Sequence, residues 1–200
     1  MKKISFFKWI KKYIKREFRR LREKHLLKVE HPTVTIDDDV VIKNPSRLAL
    51  GENIYIRNGT FIECGGEKWC NYGGGVTIGD NVFIAPNVTL LGGGEIEIQR
   101  RCMIGPGVLI TSTSPDVAVV DSDEKYLDNP TVPHELSKVT IEEGVMIGPN
   151  SVILLGVTIG PYAKIYGGSV IRKDVPPGTL ILPNTKNLNK KYIYKKQGSG

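Results

Sequence analysis

From Val139 to Pro176 an isoleucine falls on every sixth residue: Ile141, Ile147, Ile153, Ile159, Ile165, Ile171. An amphipathic helix repeats its apolar positions near 3.6 residues and a half-buried strand near 2, so neither accounts for this period. A strict six-residue repeat predicts a β-solenoid, in which short strands and tight turns wind into a prism and one aliphatic side chain per side points inward. The same phase returns upstream in blocks: Ile36, Ile42 and Leu48; Leu50, Ile56 and Ile62; Ile78, Ile84 and Leu90; Ile98, Ile104 and Ile110. Each break in phase reads as an insertion at a corner of the prism. Four residues after most of these positions stands a small or β-branched residue, as packing close to a turn requires: Val82, Val88, Val108, Val145, Ser151, Val157, Ala163, Ser169. Gly79, Gly105, Gly148 and Gly160 directly follow their isoleucines, where the backbone bends and a side chain would crowd it.

The first thirty residues follow a different rule. Phe7, Ile10, Ile14, Phe18 and Leu21 recur at three- and four-residue steps, which predicts an amphipathic helix, with Phe6 and Trp9 widening its apolar face. His31-Pro32 ends it, because the residue before proline is pushed out of the helical region. The chain carries a net charge of +7, but Met1 to Lys28 alone hold twelve Lys/Arg against Glu17 and Glu23, a net of +10 that leaves the remainder at −3. The basic character therefore belongs to this arm. Two partners fit it: the open end of the solenoid or a neighbouring subunit, which need a cap, and an anionic membrane surface, touched peripherally by residues 1–28; nucleic acid is not expected, since no groove-reading motif accompanies the charge.

Composition agrees with a turn-rich solenoid: aromatics are 8% and there are 22 glycines. No run of about 18 apolar residues is present to span a membrane, and lysines interrupt the N-terminus where a secretory leader would be apolar. Cys64, Cys70 and Cys102 are an odd count without metal-type spacing, the pattern of reduced thiols in a cytoplasmic protein, here with a peripheral place at the inner face of the membrane as the arm's alternative. The predicted organisation is a basic helical arm over 1–30, a β-helix domain over 31–186 with an excursion loop at 112–138, and a lysine-rich, disordered tail over 187–200. Asp37, Asp38 and Asp39 read as a solvated corner. The glycine-rich insertion Gly65 to Gly75 lacks the GK[ST] or strand–GxGxxG–helix context of a phosphate cradle. Its Trp69 and Tyr72 offer an aromatic wall for a sugar, or a surface for a neighbouring subunit.

The segments CNYGGGVTIGDNVFIAPNVTL and EIEIQRRCMIGPGVLITSTSP, followed by the repeat from Val139 and GGSVIRKDVPPG, resemble the hexapeptide-repeat acyltransferases, in particular the galactoside and maltose O-acetyltransferases; the similarity runs from about Asn71 to Lys186. The resemblance implies an all-β fold, a left-handed parallel β-helix, which is an exception to right-handed crossovers. It implies a homotrimer with acetyl-CoA in the groove between two prisms, no metal, and a histidine as general base toward an acceptor hydroxyl. Met146, Pro149, Gly167, Arg172 and Lys173 occupy positions that match the family's contacts to the pantetheine and nucleotide, and Lys186 follows where a basic tail nears the phosphates. Two departures stand out. The family's histidine falls in a T-x-T-H-P stretch, and here Thr111 to Pro115 read TSTSP, so Ser114 stands in its place. The family's FINYN reads FIAPN from Phe83 to Asn87, so Ala85 replaces an amide that meets the sugar.

A serine hydroxyl does not serve as a base near neutral pH without an activator of its own. Of the three histidines, His25 and His31 belong to the arm, and His134 lies in the excursion loop. A loop of this length inside a tight repeat points to function. The expectation is that His134 swings back over the groove as the base, oriented by Asp116 or Glu135, and that transfer is direct, with a backbone N–H of a coil turn facing the tetrahedral oxyanion. A three-histidine zinc site on the prism is excluded, since two of the three histidines lie outside it. Two function classes follow: an acetyl-CoA-dependent O-acetyltransferase acting on a sugar of a surface polysaccharide or a nucleotide- or lipid-linked saccharide, and a trimeric scaffold or coenzyme A/sugar-binding protein that has lost catalysis.

Overall fold

The computed structural model describes residues 6–116 and 133–183. Lys186, the tail over 187–200 and the middle of the excursion loop lie outside the described residues. One α-helix, Phe6–Glu30, precedes a left-handed parallel β-helix whose strands are two or three residues long. The strands stack into three parallel sheets of seven, six and five strands, which we call the first, second and third faces in the order the chain visits them.

The inward residues form one column per face. Ile36, Ile56, Ile84, Ile104, Ile147, Ile165 and Ile181 are in register up the first. Ile42, Ile62, Leu90, Ile110, Ile153 and Ile171 run up the second. Leu50, Ile78, Ile98, Ile141 and Ile159 run up the third. Most of these side chains are fully buried, Ile104, Ile110, Ile153 and Ile159 among them. At about 1.5–3 kcal/mol for each side chain so buried, these columns supply the main term holding the coils together. The smaller residues Val82, Val88, Val108, Val145 and Ala163 fill the space behind them.

Leu48, grouped with Ile36 and Ile42, and Leu50, grouped with Ile56 and Ile62, share one strand: Leu50 pairs with Ile78 in the third column, and buried Leu48 pairs with Val76, joining the core beside it. The 3-10 turn Pro45–Arg47 lengthens the corner ahead of this strand, so the six-residue count fails there. Every other break in phase falls at the same corner. The steps Ile42 to Leu50, Ile62 to Ile78, Leu90 to Ile98 and Ile110 to Ile141 all pass from the second face to the third. The other two corners keep the period throughout, so the insertions stack as a ridge along one edge.

The outer surfaces differ. Tyr55, Phe83, Met103 and Met146 form an exposed apolar column on the first face, with Tyr55 and Phe83 rings 6.5 Å apart. The third face shows Ala49, Thr77, Glu97, Thr140 and Thr158. At the N-terminal end, buried Leu27 joins the core cluster, and Lys24 donates its ammonium to the Asp37 carbonyl and lies 3.9 Å from the Asp38 carboxylate. The last turns of the helix thus close the first coil.

Candidate functional site

The site forms on the ridge of insertions. The second-face strands Phe61–Glu63 and Thr89–Leu91 bring Glu63 and Leu91 side by side in register at the edge. After Glu63 the chain makes the glycine-rich excursion, which carries the 3-10 turn Lys68–Cys70. The excursion is tied down by Gly66 N–H to the Gly73 carbonyl (2.7 Å) and by the Arg47 guanidinium, which donates to the carbonyls of Tyr72 (2.5 Å) and Gly74 (2.9 Å). Trp69 rests on the backbone at Gly93, where a Cβ would lie 2.6 Å from the indole. A side chain at Gly93 would displace the indole.

The second excursion leaves after Thr111. Ser112 is fully buried; its hydroxyl donates to the Leu91 carbonyl (2.8 Å) and accepts from Gly94 N–H (2.9 Å). The chain then forms a hairpin that the sequence did not announce: Thr113–Pro115 pairs antiparallel with His134–Leu136. Its return is fixed by Ser137 N–H to the Ser112 carbonyl (3.0 Å) and by an ion pair of Lys138 with Glu97 at 2.6 Å. The Lys138 ammonium holds the Glu97 carboxyl below its usual range, and Glu97 in turn raises Lys138.

Directly opposed residues of an antiparallel pair share a face. Pro115 opposes His134 and Thr113 opposes Leu136, while Ser114 opposes Glu135. His134, Pro115 and Thr113 therefore look one way, and Ser114 and Glu135 the other. The His134 ring meets Trp69 with centroids 4.9 Å apart. Glu63, Trp69, Leu91, Thr113, Pro115 and His134 enclose an open cleft of about 340 Å³. Thr113 Oγ1 in its wall is the one buried side-chain oxygen or nitrogen without a hydrogen-bond partner among the described residues. Glu63, Leu91 and Thr113 were not anticipated; the available signal was that each stands beside a break in phase.

The remaining anticipated residues lie elsewhere. Ser114 is half-buried, its hydroxyl donating to the Pro115 carbonyl at 3.3 Å, and Asp116 N–H reaches the Pro133 carbonyl at the end of the hairpin away from the prism. Tyr72 is 63% exposed and outside the cleft lining. Ala85 is buried at the corner between the first and second faces, where its carbonyl accepts from Thr60 Oγ1 (3.2 Å). Pro149 and Gly167 share that corner, close enough that a Cβ on Gly167 would lie 3.0 Å from the Pro149 carbonyl oxygen. Met146 points outward on the first face, and exposed Arg172 and Lys173 follow the second-face strand Val170–Ile171 toward the ridge edge. Within one chain the cleft and the Ala85–Pro149–Gly167 corner are thus on different edges of the prism. Burial, with the charge of Glu63, pushes the Cys64 thiol up to about 12, and burial raises Cys102 to about 11. Among the described residues no three His, Cys, Asp or Glu side chains gather into a group that could hold a metal ion.

Residues 138–173 match the family model described as bacterial transferase hexapeptide (six repeats). The chain is 26% identical over 195 residues to the galactoside O-acetyltransferase of Escherichia coli K12, covering 88% of this chain and 84% of that one. It is 30% identical over 135 residues to the galactoside O-acetyltransferase of Lactococcus lactis, covering 66% of this chain and 56% of that one. The match spans 61% of a Saccharomyces cerevisiae relative and 50% of one from Schizosaccharomyces pombe, so the chain covers roughly half to three-fifths of the length of these fungal relatives. Among solved structures it is similar to variants of AntD, an N-acyltransferase from Bacillus cereus. One in complex with dTDP and coenzyme A superposes with a TM-score of 0.67 at 22% identity, covering 85% of this chain and 89% of that one. At that identity the likeness is one of fold.

Proposed function

Since the chain belongs to the hexapeptide-repeat acyltransferases, we propose that it transfers an acetyl group from acetyl-CoA to a hydroxyl of a saccharide, with His134 as general base. The observation that carries this reading is the His134 ring held on Trp69 in the cleft where both excursions meet. An indole face suits the apolar side of a sugar ring. The Glu63 carboxylate in the cleft lining offers a polar contact to its hydroxyls.

The chemistry is direct. The His134 imidazole takes the acceptor proton as the oxygen attacks the thioester carbonyl. A backbone N–H of a coil turn stabilises the oxyanion. The tetrahedral species collapses, the C–S bond breaks, and the coenzyme A thiolate leaves and receives the proton. Direct transfer asks no metal of these residues. Acetyl-CoA would lie between two prisms of a homotrimer, with Met146, Pro149, Gly167 and the region of Ala85 from one copy facing the ridge edge of the next, and Arg172, Lys173 and Lys186 near the nucleotide phosphates. The apolar column Tyr55–Phe83–Met103–Met146 supports such a contact, as does the placement of the two residue sets on different edges.

The test is coenzyme A release from acetyl-CoA with galactoside and other saccharide acceptors, together with direct measurement of acetyl-CoA binding. Replacing His134 with alanine is expected to lower kcat by about 10²–10⁴ while leaving acetyl-CoA affinity intact. Unchanged turnover in that variant would remove His134 from the mechanism. One observation favours a second reading: Ser114 stands where the family carries its histidine, which fits a scaffold or binding protein without turnover. Acetyl-CoA binding without any transfer across the acceptors would establish that alternative.

A further inference from the structure

The N-terminal helix meets the prism with one end of its length. At 3.6 residues per turn, Leu27 lies about 140° around the axis from Ile14, and Lys24 about 80°. Leu27 and Lys24 are the residues that close the first coil. The contacts to the prism thus come from the last two turns, about three turns beyond Ile14 on the expected apolar stripe. Ile14 is 48% exposed, and Lys11, Lys12, Lys15 and Arg22 are exposed as well.

We propose that this stripe lies on an anionic lipid surface, while the last two turns of the helix hold the prism to it. Charge decides the occupant. Met1 to Lys28 carry a net charge of +10, so packing the stripes of several copies together would concentrate like charge. A surface of acidic headgroups neutralises the cations and accepts the apolar residues at the headgroup boundary. Counting round the helix from Ile14, exposed Lys11, Arg22 and Lys15 fall at about 60°, 80° and 100° to one side. No helix of the described residues is long and apolar enough to cross a membrane, so the contact is peripheral. It does not depend on the acyl-transfer reading. If both hold, the cleft works on acceptors presented at a membrane surface.

The experiment is co-sedimentation of the full chain with vesicles of phosphatidylcholine alone and of phosphatidylcholine with phosphatidylglycerol, at low and at raised salt. The expected result is binding only where phosphatidylglycerol is present, reduced by salt through screening. Replacing exposed Ile14 with glutamate should weaken it by about tenfold or more, with thermal unfolding and coenzyme A release unchanged. Absence of binding to the anionic vesicles overturns the proposal, and so does binding that Ile14→Glu leaves intact. A fall in oligomeric mass in Ile14→Glu without vesicle binding overturns it in favour of a subunit contact. Retention by RNA without retention by vesicles overturns it in favour of nucleic acid.

Discussion

The indole of Trp69 and the imidazole of His134 lie with ring centroids 4.9 Å apart and planes inclined at 47°. Each ring is delivered by a separate excursion from the prism, and Gly93 provides the bare backbone that lets the indole reach the other. An aromatic pair of this kind contributes about 0.5–1.5 kcal/mol beyond the area it buries. Trp69→Ala is therefore expected to raise the acceptor KM by about three- to tenfold, with a fall in kcat as the imidazole loses its support, and Trp69→Phe should recover most of both. Gly93→Ala should give the same kinetic defect with Trp69 in place, because the added methyl occupies the indole's position. Steady-state kinetics at saturating acetyl-CoA checks all three. A Trp69→Ala enzyme indistinguishable from the parent would mean that the cleft does not bind the acceptor.

Much of this arrangement could be read in advance, and the rest had a physical reason to stay hidden. The inward isoleucines were legible because a solenoid repeats one local environment, so period alone identifies the core. Period gives phase but not which corner an insertion occupies. The stacking of every insertion on one edge consequently became visible only with the strand pairing. The hairpin of Thr113–Pro115 with His134–Leu136 is too short to show alternation, and residues 117–132 separate its strands. His134 was singled out by elimination among three histidines. Its contact with Trp69 depends on two excursions meeting across the coil that lies between them, which no local pattern encodes.

The ion pair of Lys138 with Glu97 clamps the returning end of the hairpin to the third face. Glu97 titrates below its usual value in the folded chain, so its contribution is complete above the ordinary glutamate range and disappears as the pH falls through the lowered folded value. Lys138 titrates above its usual value, so its share is present below the ordinary lysine value and is lost as the pH rises through the raised one. Both side chains are partly exposed, which limits the pair to about 0.2–1 kcal/mol. Lys138→Gln is expected to lower the urea midpoint slightly at neutral pH, and this difference from the parent should vanish under acidic conditions. Urea titrations of both proteins across pH measure it; a difference that persists in acid would assign the effect to packing rather than charge.

The exposed column on the first face should be an assembly contact. Met103 is 48% exposed and sits between Phe83 and Met146 in register. Its side chain points away from the core, so Met103→Glu leaves the coil intact but puts a carboxylate into any apolar contact made there, where burial without a partner costs several kcal/mol. Light scattering coupled to gel filtration is expected to show a trimer for the parent and a folded monomer for the variant, with transfer activity lost together with the trimer. A parent that is monomeric while active would rule out an intersubunit site.

Cys64 follows the cleft residue Glu63 in sequence, as Cys70 follows Trp69, which makes it a suspect for an acyl-cysteine intermediate. Nucleophilic sulfur is thiolate. Burial and the Glu63 charge push the Cys64 thiol up to about 12, so at neutral pH roughly one molecule in a hundred thousand carries the thiolate. Its residue is also fully enclosed, as are Cys70 and Cys102 to within 2%. Native protein is expected to resist iodoacetamide and to keep full transfer activity after prolonged exposure, and all three cysteines should label quickly once urea opens the prism. Cys64→Ser should likewise turn over at the parental rate, after allowance for any loss of stability measured in urea. Rapid native labelling of one thiol, with activity lost in proportion, would replace direct transfer by a two-step route through sulfur and would take the base role of His134 from the acceptor oxygen to the thiol.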